Sequence, residues 1–210
     1  MKLLRLLLAS SLGVLSACSH NSVPVKFYRL SADFDRSNTG KTWAENLDAV
    51  KKSPLNSGPV IGLGPVKIPD YLNRLQMVTA VSDNEYVMSE EHRWAERLDQ
   101  NILLALYKTL TQYVNTDRVV RYPWSQRQPV DYQVSIDILE FNINQLGQSH
   151  LIAQWTVKHK DEIILDKRSD YQVPTSKTDY TLMVKAQSQC LSLLMKEISD
   201  DLNGLKGLGL

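Results

Sequence analysis

Tyr132-Gln133-Val134-Ser135-Ile136-Asp137-Ile138-Leu139-Glu140-Phe141-Asn142-Ile143 decides the fold. Tyr132, Val134, Ile136 and Ile138 alternate with polar residues, the period-2 pattern of a half-buried strand. Leu139, Phe141 and Ile143 then carry the apolar set in the opposite phase. A slip of one residue inverts every side chain, so the pattern predicts a β-bulge at Ile138-Leu139. Leu151, Ala153, Trp155 and Val157 repeat the alternation after Gly147. Ile163, Leu165, Tyr171 and Val173 repeat it after Lys160-Asp161. Three strands joined by short turns read as an antiparallel meander.

Working outward, Asp179 to about Leu202 places Leu182, Ala186, Cys190, Leu193, Leu194, Ile198 and Leu202 at helical spacing. Cys190 falls within that stripe and reads as a small core residue. Gly204, Gly207 and Gly209 predict a flexible tail over 204–210. His92 to Asn115 reads as another helix, starting from Ser89-Glu90-Glu91. Its apolar face would hold Trp94, Leu98, Ile102, Ala105, Leu106, Leu110 and Tyr113. Val25–Leu30, Gln76–Ser82, Glu85–Ser89 and Arg118–Tyr122 read as strands. Pro59–Pro69 is extended, and its prolines lack ladder donors, which predicts an edge or a bulge. Ser31–Ser57 is polar, with at most one short helix at Trp43–Val50. Strand and helix runs without regular alternation give an α+β fold. The expected form is an antiparallel or mixed sheet with two long helices on one face, in one domain over 25–203.

The chain has 210 residues, 43% of them hydrophobic, enough for the core of one domain. Lys and Arg number 24 against 23 Asp and Glu, a net charge of +1. That balance disfavours nucleic acid as a partner, which calls for clustered basic residues. Two cysteines exclude a four-Cys zinc site and a disulfide framework.

The N-terminus decides the compartment. Lys2 and Arg5 precede an apolar core, Leu6–Val14, and small residues follow, as in a secretory signal peptide over 1–17. The apolar stretch is shorter than the ~20 residues that span a bilayer. Leu15-Ser16-Ala17-Cys18 resembles the lipobox of bacterial lipoprotein precursors. The resemblance implies cleavage between Ala17 and Cys18, with N-palmitoyl and S-diacylglycerol groups on Cys18. Ser19, where an Asp would favour the inner membrane, implies the outer membrane, with the protein facing the periplasm. Residues 18–24 form the lipidated tether. Loss of Lys2 and Arg5 leaves 22 basic residues against 23 acidic ones, a charge of −1.

Catalytic patterns are sparse. His20, His92, His150 and His159 lack metal-binding spacing and read as surface residues. There is no Gly-x-Ser-x-Gly elbow. Gly62-Leu63-Gly64-Pro65 lacks the third glycine of a dinucleotide loop. No catalytic residue, metal or cofactor is assigned. Trp94 and Trp155 fall on apolar stripes and read as core. Trp124, beside Tyr122-Pro123 in a loop, reads as a partner contact.

Three segments together carry a family resemblance. They are Phe27-Tyr28-Arg29-Leu30, the stretch Ile61-Gly-Leu-Gly-Pro-Val-Lys-Ile-Pro-Asp-Tyr-Leu-Asn-Arg-Leu-Gln-Met-Val78, and Arg93-Trp94-Ala95-Glu96-Arg97-Leu98. In this order they resemble the PqiC (YmbA) family of ABC-type transport auxiliary lipoproteins. The resemblance implies a non-enzymatic, outer-membrane lipoprotein in a homo-oligomeric ring. It would dock a PqiB-like MCE tunnel protein, act indirectly with a PqiA-like inner-membrane protein, and serve intermembrane lipid transport and membrane integrity. Tyr71, Leu72 and Arg74, in the most specific stretch, read as a contact or structural loop. The alternative is a periplasmic lipoprotein hydrolase acting on lipid or cell wall, with a Ser and a His brought together by the fold.

Overall fold

The computed structural model describes residues 23–31, 58–114, 118–125 and 127–207. The signal segment, Ala17, Cys18, His20 and the expected helix at Trp43–Val50 lie outside the described residues. The order is β1 (Lys26–Tyr28), β2 (Ile61–Lys67), a 3-10 turn (Asp70–Leu72), β3 (Gln76–Ser82), β4 (Glu85–Trp94) and α1 (Leu98–Tyr113). There follow β5 (Val119–Arg121), β6 (Tyr132–Ile143), β7 (Gln148–His159), β8 (Glu162–Pro174) and α2 (Tyr180–Gly207). This is an α+β fold with a mixed eight-stranded sheet and two helices.

The β6–β7–β8 meander is antiparallel throughout, and β6 changes register against β7 between Ile138 and Glu140. The phase slip in the sequence is therefore a real bulge, with Leu139 turned to solvent. Lys160 and Asp161 both take positive φ in the β7–β8 turn. The other side of β6 is shared. β2 pairs with its first half, and β3 meets it at Ile143 opposite Thr79. The sheet forks there into β2–β5 and β3–β4–β1.

α1 lies over β2 and β5, α2 lies over β6, β7 and β8, and the helices touch each other. Ile61, Leu63, Val134, Ile136, Phe141, Leu151 and Trp155 of the sheet share one core with Ile102, Leu106, Leu194 and Ile198 of the helices. Polar groups fasten the layers. Asn101 of α1 accepts the Leu30 N–H at 2.7 Å, tying the chain beyond β1 to the helix. Ser169 Oγ accepts from Trp155 Nε1 at 3.0 Å and donates to Glu197 of α2 at 2.6 Å, and the Tyr171 hydroxyl donates to the same carboxylate.

Four expectations need correction. The helix begins at Leu98, not His92, because β4 runs through Trp94. The Ser89 signal is local and real: Ser89 Oγ accepts the His92 N–H at 3.1 Å. It closes a bulge instead of capping a helix, since the β3–β4 register jumps between Gln76↔Arg93 and Met77↔Ser89. Parallel pairing of β1 with residues 92–94 holds this segment extended. Trp94 is buried as expected, but from a strand.

The Pro59–Pro69 segment is no edge in its first half. Residues 61–63 of β2 pair with β5 on one side and β6 on the other. The bulge is present, between Leu63 and Val66, where Gly64 takes φ 114° and Pro65 follows a cis bond. Among the described residues the edges are β1, β5 and β8.

The third correction is at the C-terminus, where α2 runs through Gly207 and so through most of the expected tail. Gly204 is followed by less than one further turn, in which Leu205 packs against the core edge. The fourth is the α2 stripe. Leu182 and Leu193 are 49% and 43% exposed, and Met183 and Leu191 take the inward positions.

Candidate functional site

β2 ends at Lys67, and the chain turns through Asp70-Tyr71-Leu72 before entering β3. Backbone bonds from Leu72 N to Pro69 O and Asn73 N to Asp70 O close this turn at 3.0 Å each. Arg74 completes it by donating Nε–H to the Tyr71 carbonyl at 2.8 Å, and its Nη1 reaches Met88 Sδ on β4. Arg74 thus holds the turn through hydrogen bonds and not through the ion pair its charge invites. Leu72 is 3% exposed and belongs to the core. The expectation of Leu72 as a partner contact is corrected accordingly: it anchors the turn from beneath.

Tyr71 is half-buried on the sheet face turned away from the helices. Its ring stacks on Tyr86 of β4, with centroids 4.8 Å apart. Its hydroxyl is buried beside the Asn142 side chain without a hydrogen bond of ordinary geometry, and neither is Asn142 Oδ1 paired. Burial pushes the Tyr71 phenol up, and the neighbouring Asn142 side chain only partly offsets this. Tyr86, Met88 and Leu75, beside Tyr71 and Arg74, are 37%, 41% and 43% exposed. The turn and the β3–β4 hairpin together present an aromatic and apolar surface.

A polar cluster continues along the same face. Asn142 Nδ2 donates to Glu140 at 3.2 Å. His150 Nδ1 lies 3.2 Å from Glu140 Oε1, and its Nε2 lies 2.9 Å from Asp170 Oδ1. Both ring nitrogens are thus engaged with carboxylates, and the surface reading of His150 gives way to a half-buried bridge across three strands. His92 is also occupied. Its ring stacks on Tyr180 of α2, with centroids 3.8 Å apart and planes within 5°. His159 Nδ1 meets the Asp131 carbonyl at 2.9 Å. Of these three histidines His92 does meet a serine: its Nδ1 lies 3.0 Å from Ser89 Oγ, the hydroxyl that also accepts the His92 N–H, in a local contact that closes the β4 bulge.

Trp124 is not brought to this site. It lies near the start of β2, over Gly62, where an added Cβ would come within 2.8 Å of its ring. Tyr122 packs edge-on against it, with centroids 5.5 Å apart. Trp124 is half-buried and covers the glycine, while Tyr122 is 47% exposed. The structure therefore joins Tyr71, Leu72 and Arg74 and separates them from Trp124. It adds Tyr86 and Met88, which no sequence motif singles out. Their signal was the apolar run Tyr86-Val87-Met88 in a strand that is polar from Ser89 to Arg93. Cys190 is fully buried, and burial pushes its thiol up, as its place in the helical stripe suggests. No helix among the described residues is long and apolar enough to cross a membrane.

The model of one protein family, the ABC-type transport auxiliary lipoprotein component, matches residues 39–199. Two proteins called intermembrane transport lipoprotein PqiC, from Escherichia coli (strain K12) and Shigella flexneri, are each 27% identical over 99 residues. The match takes in 47% of this chain and 51% of theirs, so it spans about half the length of the curated relatives. Among solved structures, an uncharacterized protein aligns with a TM-score of 0.61 at 23% identity, covering 71% of this chain and 94% of that one. A protein from Xanthomonas campestris aligns with a TM-score of 0.63 at 12% identity, covering 76% and 93%. These likenesses show a shared fold.

Proposed function

The chain belongs to the ABC-type transport auxiliary lipoprotein component family, and from that premise we propose that it is the outer-membrane lipoprotein of a Pqi-type transport system. Cleavage between Ala17 and Cys18 leaves Cys18 with N-palmitoyl and S-diacylglycerol chains, which hold the domain on the periplasmic leaflet. Each buried methylene contributes about 0.8 kcal/mol, so several chains together give a stable anchor. The domain docks the outer-membrane end of a PqiB-like MCE tunnel, as a homo-oligomeric ring, and serves intermembrane lipid transport and membrane integrity. A PqiA-like inner-membrane protein takes part through the tunnel and not by direct contact.

The observation that carries this reading is the family match over residues 39–199, joined to relatives named as intermembrane transport lipoproteins. The Tyr71–Arg74 turn supports a docking role. Exposed aromatic and thioether side chains next to an Arg have the composition of an interface centre. Trp124 and Tyr122 make a second, separate candidate contact.

Crosslinking in intact cells, then affinity purification and mass spectrometry of the lipidated protein, tests the proposal. Recovery of an MCE-type tube protein is expected, reduced by Tyr86→Ala or Arg74→Ala in a chain that still folds. Recovery of this protein alone, with no tube protein, would sink the transport assignment.

A further inference from the structure

We propose that the end of the sheet formed by the β3–β4 and β6–β7 turns is a membrane-facing surface that rests on zwitterionic lipid. The inference rests on the anchoring of Cys18 proposed above and adds the orientation of the domain on its anchor.

Three observations carry it. First, the two turns form one unit, because Gln145 Nε2 donates to Asp83 Oδ1 at 3.3 Å across them. β3 and β6 run parallel where they meet, so both chains arrive at the same end. Second, this end is apolar at its apex. Leu146 is 74% exposed at the tip of the β6–β7 turn, and Val81 and Val87 beside the other turn are 50% and 48% exposed. The Leu146 turn is well defined, since Asn144 Oδ1 accepts both the Leu146 and the Gln148 N–H at 3.0 Å. A rigid turn with a leucine at its apex suits insertion among lipid headgroups better than exposure to water.

Third, the chain direction brings the anchor to this end. β1 pairs parallel with β4, Lys26 opposite His92 and Tyr28 opposite Trp94. The chain preceding Lys26 therefore heads toward the start of β4, which is the β3–β4 turn. From His92 back to Glu85 is about 23 Å of strand at ~3.3 Å per residue. From Lys26 back to Cys18 the chain can span roughly 26–29 Å. The chain from Cys18 to Lys26 is thus long enough to reach the level of Leu146, and Val23–Val25 already lead toward that end of the sheet.

The charges select the lipid. Asp83 and Glu85 stand at one turn, and Lys177 lies against Gly147 at the other. Mixed signs give no net attraction to an acidic surface, so apolar contact with a zwitterionic one is left as the driving term.

The full lipidated protein in phosphatidylethanolamine–phosphatidylcholine vesicles tests this. An environment-sensitive nitrobenzoxadiazole label is placed at Leu146→Cys, or at Glu162→Cys beside the opposite turn, about 40 Å away along β7. Cys190 is buried and does not compete for the label. Emission at 146 should shift to the blue and be quenched by nitroxide-labelled lipid, while emission at 162 should do neither. Protein that floats with the vesicles while 146 remains in water overturns the orientation and leaves the anchor intact. Equal lipid contact at both positions overturns it as well. A signal that needs added phosphatidylglycerol overturns the zwitterionic assignment. Protein that fails to float overturns the anchor and this inference together.

Discussion

A Cβ at Gly64 would lie 2.6 Å from the Cβ of Tyr122. Gly64 lies in β2 and Tyr122 directly follows β5, and the Tyr122 N–H donates to the Leu63 carbonyl at 2.9 Å. Gly64 also has φ 114°, which side chains rarely tolerate. Gly64→Ala should therefore destabilise the fold by more than about 2 kcal/mol, from backbone strain and overpacking together. Urea unfolding followed by circular dichroism measures it. A change below ~0.5 kcal/mol would mean that the two strands can part without cost.

Gly204 offers the opposite case. It lies in α2, and an added Cβ would meet nothing within 4 Å. Gly204→Ala should raise stability by about 0.5–1 kcal/mol, because glycine gives up more backbone entropy in a helix. The same urea titration reads it.

The bonds around Ser169 hold α2 against the meander, because one hydroxyl serves both the Trp155 indole and Glu197. Ser169→Ala leaves the indole N–H without its partner and removes one donor from the carboxylate. A loss of about 1–3 kcal/mol is expected. Near-ultraviolet circular dichroism should show the Trp155 environment change before global unfolding.

Stability should decline on the alkaline side. Burial, reinforced by the Glu197 carboxylate, pushes the Tyr171 phenol up from its ordinary 10.0. Burial likewise pushes the Cys190 thiol up from 9.0. Both groups hold their proton longer in the folded chain, so their contribution is complete below the unfolded values. It falls as pH rises through 9 and then 10 toward the folded values. Tyr171→Phe should flatten the upper part of that decline. A thermal midpoint unchanged between pH 8 and pH 11 would contradict the assignment.

His92 and Tyr180 couple the β4 bulge to the first turn of α2 by direct stacking. His92→Ala should cost about 0.5–1.5 kcal/mol. Hydrogen exchange should speed up in the first turn of α2 more than at its centre. Uniform acceleration would show that the contact does not act locally.

Much of the architecture was legible because it depends on local alternation. The meander, the Ile138–Leu139 bulge and the Lys160-Asp161 turn follow from where apolar side chains fall along one strand. The boundary at Trp94 was illegible for a physical reason. Ser89-Glu90-Glu91 offers the same side-chain oxygen to a nearby N–H whether a helix or a bulge follows. Only the pairing with β1, whose residues lie more than 60 positions earlier, decides between them. Pro65 misled in a similar way, since a missing donor matters only after β5 has ended. At the candidate site, the motif stretch pointed to Tyr71 and Arg74. Their partners Tyr86 and Met88 come from a hairpin whose approach is set by stacking and not by spacing. Leu72 looked equivalent to its neighbours in sequence, and the 3-10 turn alone sends it inward.

The position of β2 has a consequence for how the chain is made. Ile61 pairs with Val119 and with Tyr132, so the middle of the sheet cannot close until the chain beyond Tyr132 is available. Parallel pairings over such separations form slowly, because loop closure precedes any gain from contact. For the exported lipoprotein proposed here, that delay is useful. Until the chain beyond Tyr132 pairs with β2 the sheet stays open, so a precursor bound for export would remain threadable for that interval.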